Sequence, residues 1–219
     1  MRIILIALLC IGFGTAHATE RKQVDIELVM LVDASGSIDK DEHKLQLAGI
    51  VVAFKNPHII NAIKNGYRRA VAVTVVGFGA SQRVYMPWTR LYDEDSAVRF
   101  ADGLAEISHK DLGGTAIGDA LAYAHTLFGK RFRGDFRIID ISGDEKSNSG
   151  VPVTPVRQQI IEDGITINGL PIIDSDQNVV AYYKTEVIGG VGAFVIPAKN
   201  RAAILQAYFF KLVKELARK

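Results

Sequence analysis

Apolar residues in this chain fall into two alternating patterns. Unbroken or nearly unbroken runs occur at Ile26 to Val32, Ala70 to Phe78, Phe136 to Ile141 and Ile165 to Ile173. They read as strands buried on both faces, as in a parallel sheet. Between them the apolar positions take helical spacing. Leu45, Leu47, Ala48, Val51, Val52 and Phe54 mark a helix from Asp41 to Phe54, and His58 to Lys64 adds a second piece after Asn56-Pro57. Asp93 is placed to cap a helix from Glu94 to Ile107. Gly113-Gly114-Thr115 opens another, with Ile117, Leu121, Ala124 and Phe128 on one side. Thr154 to Glu162 is a short helix stopped by Asp163-Gly164. Asn200 to Lys219 is a final helix with Leu205, Phe209, Leu212, Val213 and Leu216 inward. Arg83 to Leu91 reads as a strand returning antiparallel, and Pro87 puts it at a sheet edge. Val179 to Ile188 reads as extended, and Ala193 to Ile196 as a last edge strand.

This alternation predicts an α/β fold. The sheet is doubly wound and mainly parallel, with one antiparallel edge strand and helices on both faces. No internal repeat, linker or low-complexity tract divides it.

The N-terminus follows a different pattern. Arg2 precedes an apolar run from Ile3 to Gly14 and then Ala16-His17-Ala18. A basic start, a hydrophobic stretch and an A-x-A site predict a signal peptide over residues 1–18. The run is shorter than the ~20 residues that span a bilayer. Residues 19–219 are then one domain, expected in the periplasm or outside the cell. The later apolar runs are too interrupted for transmembrane helices, so no stable membrane insertion is expected after cleavage. Cys10 is the single cysteine and lies inside the leader. The mature chain must be held without disulfides, and 48% hydrophobic residues suffice for a core of this size. Setting Arg2 aside lowers the 26 basic side chains by one, against 24 acidic ones. That near-balance excludes the strong basic excess of a nucleic-acid binder.

Candidate chemistry gathers where strands end. Asp33-Ala34-Ser35-Gly36-Ser37 closes the first apolar run, presenting one carboxylate and two hydroxyls at alternate positions. Oxygen donors of this kind suit a hard divalent cation. In open parallel sheets ligands bind at the carboxyl ends of the strands, where strand order reverses. Thr115, in a glycine-bounded loop, and Asp144, after Ile141-Ser142-Gly143, are expected to meet Asp33, Ser35 and Ser37 there. The same residue types also serve as helix caps and Asx turns. His43, His58, His109 and His125 lack H-E-x-x-H spacing, which argues against zinc catalysis. The chain has no G-x-x-x-x-G-K-[ST], no G-x-G-x-x-G after the first strand and no G-x-S-x-G elbow.

The order Asp33-x-Ser35-x-Ser37, then Thr115, then Asp144 resembles the von Willebrand factor A domain and its metal-ion-dependent adhesion site. Pro87-Trp88-Thr89, Ile167-Asn168-Gly169-Leu170-Pro171 and Val187-Ile188-Gly189-Gly190 resemble, more narrowly, a bacterial family of short secreted A-like proteins without assigned function. The resemblance implies that Ser35, Ser37 and Thr115 donate oxygen to one cation, with Asp33 and Asp144 acting directly or through water. Magnesium is the first expectation, manganese and calcium the alternatives. It also implies a non-enzymatic, adhesion-type module whose cation is completed by an Asp or Glu of a protein partner. A divalent-metal hydrolase at the same site, or a scaffold with a structural metal, are the alternatives. The family's pattern has glycine after the last aspartate. Here Glu145 stands in that place, raising the question of whether the site is open to a partner.

Overall fold

The computed structural model describes residues 21–173 and 177–217. The predicted signal peptide lies outside these residues. Among the described residues five strands form one sheet: β1 (Lys22–Asp33), β2 (Val71–Phe78), β3 (Gln82–Leu91), β4 (Phe132–Gly143) and β5 (Thr166–Pro171), in the order β3-β2-β1-β4-β5. β1 pairs in parallel with β2 and β4, β4 pairs in parallel with β5, and β3 alone runs antiparallel, against β2. β2 is buried at every position and β1 from Ile26 onward, as strands covered on both faces must be. From β1 the chain turns to β2 and β3 on one side, then crosses to β4 and β5 on the other. The reversal leaves a crevice at the carboxyl ends of β1 and β4.

Helices cover both faces. α1 (Lys40–Phe54), α2 (Pro57–Lys64), α3 (Glu94–Ala105) and α7 (Ile204–Leu216) enclose one core with Leu28, Met30, Val73, Val75 and Ile138. α4 (Ile117–His125), α5 (Val153–Glu162) and α6 (Val179–Tyr182) enclose the other, with Val29, Leu31, Val76, Ile139 and Ile141. Adjacent residues of β1 and β4 thus enter opposite cores, the period-2 signature of a strand. Asp93 caps α3 as expected, in a capping box with Ser96, and Asp39 caps α1 by accepting from the Glu42 amide at 2.8 Å.

Four expectations need correction. Residues 179–188 are helical rather than extended: α6 runs into a π-helical turn, Tyr183–Val187. Its valines and tyrosines look strand-like singly, but Val179, Tyr183 and Val187 recur every four residues and all are fully buried. β4 begins at Phe132, not Phe136, because Lys22 of β1 already pairs with Phe132. The inward face of α7 is Ile204, Ala207, Tyr208, Lys211, Leu212 and Glu215, not the face through Val213. Two charged residues are buried there while Phe210 and Val213 are exposed. Residues 193–196 make no named strand. Ile167↔Gly189, Gly169↔Val195 and Ile172↔Ala198 are isolated bridges along the outer edge of β5.

Candidate functional site

The crevice collects the five predicted residues. β1 ends on Asp33, whose side chain is fully buried and accepts from the Ser35 amide at 2.8 Å. Asp39 caps α1, so Asp33 is not spent on that helix. Ser35 is buried and its Oγ lies 3.2 Å from that of Ser37. Ser37 Oγ donates to Asp144 Oδ1 at 3.1 Å, joining the first loop to the end of β4. The Gly113-containing loop is tied to the first loop by its backbone: Gly36 N–H donates to Gly113 O at 2.9 Å, and Leu112 N–H donates to Ala34 O at 2.8 Å. Gly113 holds φ +88°, a left-handed conformation suited to glycine. Thr115, also buried, follows after Gly114.

Thr115 reaches the cluster through Glu145 and through Asn148 and Ser147, two residues that the sequence did not single out. Its amide donates to Asn148 Oδ1 at 2.8 Å, and its hydroxyl donates to Glu145 Oε2 at 3.4 Å. Asn148 Nδ2 donates to the same Glu145 oxygen at 3.1 Å. Ser147 Oγ donates to Thr115 O at 3.2 Å. The polar run Ser147-Asn148-Ser149 just after Asp144 was a visible signal for this loop. Gln46 carried none. From inside α1 its Nε2 donates to Asp33 O at 3.3 Å, and its Oε1 accepts from Ser142 Oγ at 2.9 Å. Ser142 in turn accepts from Tyr208 of α7 at 2.7 Å. A buried polar chain therefore supports the strand end from behind.

Electrostatically the crevice is acidic. Burial, with smaller help from the charges of Asp144 and Glu145, pushes the Asp33 carboxyl up to about 7 against the opposing bonds from Ser35. Asp33 Oδ2 is buried with no hydrogen-bond partner, and no cationic side chain pairs with Asp33 among the described residues. Gly143 makes the room: a Cβ there would stand 2.5 Å from Asp33 Oδ2 and 2.8 Å from the Tyr183 hydroxyl. No group of three or more His, Cys, Asp or Glu with metal-holding geometry occurs among the described residues. A cation here would rely on hydroxyls as well as carboxylates.

A profile of proteins of unknown function, DUF1194, matches residues 23–219. The chain belongs to that family. No curated protein matches this DUF1194 chain. Solved structures do, through the fold. A von Willebrand factor type A protein from Catenulispora acidiphila is 20% identical at a TM-score of 0.65, covering 90% of this chain and 44% of that one. Proximal thread matrix protein 1 from the mussel byssus, in a form with a zinc-occupied metal-ion-dependent adhesion site, is 19% identical at 0.62, covering 90% and 49%. The von Willebrand factor domain of the type V pilus-tip protein Mfa5 from Porphyromonas gingivalis is 10% identical at 0.62, covering 90% and 97%. The DUF1194 chain thus has a von Willebrand factor A-like fold and spans under half the length of the first two of these proteins. Among its described residues no helix is long and apolar enough to cross a membrane.

Proposed function

We propose that the protein is an adhesion-type binding module that engages an acidic protein partner through one divalent cation held by Asp33, Ser35, Ser37, Thr115 and Asp144. The observation that carries this reading is the buried, unpartnered Oδ2 of Asp33 at the meeting point of the three loops. A buried carboxylate oxygen without a donor is costly, and a cation relieves that cost. The donor set fits. All five side chains offer oxygen, which suits magnesium, manganese or calcium, and magnesium retains waters that a partner ligand can displace. Direct ligation by neutral hydroxyls leaves the ion electrophilic, so a carboxylate from outside is a natural further ligand. Thr115 and Asn148 hold Glu145 beside the site, where it tunes the charge that a partner meets.

Binding rather than hydrolysis is the favoured reading. Ser35 and Ser37 hydrogen-bond to each other and to Asp144, and neither has a histidine base among the described residues. His43 is engaged by Tyr85 at 3.0 Å, and burial, helped by the neighbouring His109, lowers its pKa to about 4. The leader-like residues 1–18 support export to the periplasm or beyond, where an adhesion module would meet its partner.

Calorimetric titration of the full chain with magnesium or manganese chloride tests the site. One saturable event is expected, lost in Asp33→Ala. Magnesium at one hundred times its dissociation constant should stabilise the fold by about 2.7 kcal/mol. Absence of saturable binding to either metal overturns the reading. Capture of an envelope protein that chelator releases would extend it to the partner.

A further inference from the structure

The opposite end of the sheet carries a second concave surface. A pocket of about 630 Å³ lies where β1 and β4 begin and β3 ends, with Arg21, Lys22, Arg90, Lys130 and Arg131 in its lining and Trp88 among them. Five cations and no carboxylate line it, in a chain whose charges nearly balance. None of the five forms an ion pair among the described residues. Among the described residues no ion pair neutralises this concentration of charge.

The lining is held in place. Fully folded-in Glu27, on β1, accepts from the Gly129 amide at 3.2 Å and the Gly134 amide at 3.0 Å. Those bonds pin both ends of the turn that presents Lys130 and Arg131. Arg21 donates to Gly129 O of the same turn. Trp88 Nε1 donates to Leu127 O at 3.3 Å, and its ring meets Phe128 and Phe132 edge-on. The Arg90 guanidinium stacks on Tyr92 at 5.1 Å, and its Nε is buried without a hydrogen-bond partner. Five cations without ion-pair partners around one pocket call for anionic oxygen.

We propose that this pocket binds phosphate-bearing ligands. Five positive charges call for more than one carboxylate. A phosphomonoester brings about −1.5 to −2 charge and three acceptor oxygens, and clustered phosphodiesters match the same charge at a surface. Arginine forks suit phosphate geometry, and the Trp88 ring offers apolar cover for the organic part. The site is independent of the cation site. β1 runs between them from Lys22 to Asp33, about 36 Å at 3.3 Å per residue.

The phosphate can belong to a lipid headgroup or to a soluble ester, and two arms separate them. The mature chain, residues 19–219, is sedimented with phosphatidylcholine vesicles with and without phosphatidylglycerol, and titrated with inorganic phosphate. The expected result is saturable, salt-weakened binding in one arm, which names the source. Lys130→Gln/Arg131→Gln, both exposed, should weaken it about thirtyfold, and Arg90→Gln should weaken it too. Lys55→Gln, whose charge is paired with Asp102 elsewhere, should leave it unchanged. Binding in neither arm overturns the proposal. So does binding that the double substitution spares, or that Lys55→Gln weakens equally.

Discussion

Asp33 and Asp140 are both buried aspartates, on neighbouring strands, and both are pushed up from the ordinary carboxyl range by burial. Their surroundings differ. Asp140 faces α7, where Lys211 Nζ lies 2.5 Å from its Oδ1 and 2.7 Å from Glu215 Oε1. Asn168 Nδ2 donates to the same Glu215 oxygen at 2.9 Å, and Asn168 Oδ1 accepts from the Phe194 amide. The ammonium matches the two carboxylates to within one charge inside the fold itself. Asp33 has only the Ser35 contacts to favour its ionised form, with Asp144 and Glu145 adding negative charge. One buried acid is supplied with its counter-charge by the chain. The other is built so that the counter-charge comes from outside. Burial of an acid therefore does not by itself mark a site; the origin of its compensation does.

The comparison is broken most severely by Lys211→Met. It leaves Asp140 and Glu215 buried without their cation and should cost about 3–5 kcal/mol in urea unfolding. A loss under 1 kcal/mol would mean the cluster is not compensated as described. The corresponding change at the other acid should act in the opposite direction. Asp33→Asn removes an unmatched charge and should stabilise the cation-free protein by about 1–3 kcal/mol at pH 8, while abolishing magnesium binding in calorimetry. Stabilisation without that loss would separate Asp33 from the cation.

A pH series sharpens the contrast. Asp33 has a folded pKa near 7, above its ordinary 3.8, so between these values the folded state keeps a proton that the unfolded state releases. Its contribution to stability is thus lost as pH rises from about 4 to about 7. His43, lowered to about 4, has the opposite slope, losing stability as pH falls from 6.5. The difference between wild type and Asp33→Asn cancels His43 and Asp140. That difference should widen with pH across the window in chelator and flatten in saturating magnesium. The smallest effect is expected from Glu145→Gln. Loss of one half-exposed charge beside the site should weaken magnesium binding by about 1 kcal/mol, roughly fivefold, read by titration.

Sheet and site were unequally legible in the sequence. The strands of the central sheet were visible because apolar residues buried on both faces leave unbroken runs. The meeting of Asp33, Ser37 and Asp144 was visible because strand ends in such a sheet converge. The inward face of α7 was not, because Lys211 and Glu215 read as solvent-facing until Asp140 and Asn168 are placed opposite them. The 179–187 helix was hidden by β-branched and aromatic composition, which local propensity assigns to strands. Gln46 was invisible for a different reason. A glutamine within a helix becomes supporting structure only once the backbone oxygen it bonds is known.

Both margins of the sheet have a consequence for association. On β5 the segment from Gly189 to Ala198 bridges three positions of the outer edge, taking up backbone groups that an incoming strand would need. On β3, Pro87 lacks an amide proton, Arg83 and Arg90 add charge, and two register shifts break the ladder against β2. Neither margin is a template for another chain to extend. Both devices disfavour edge-to-edge pairing with another chain.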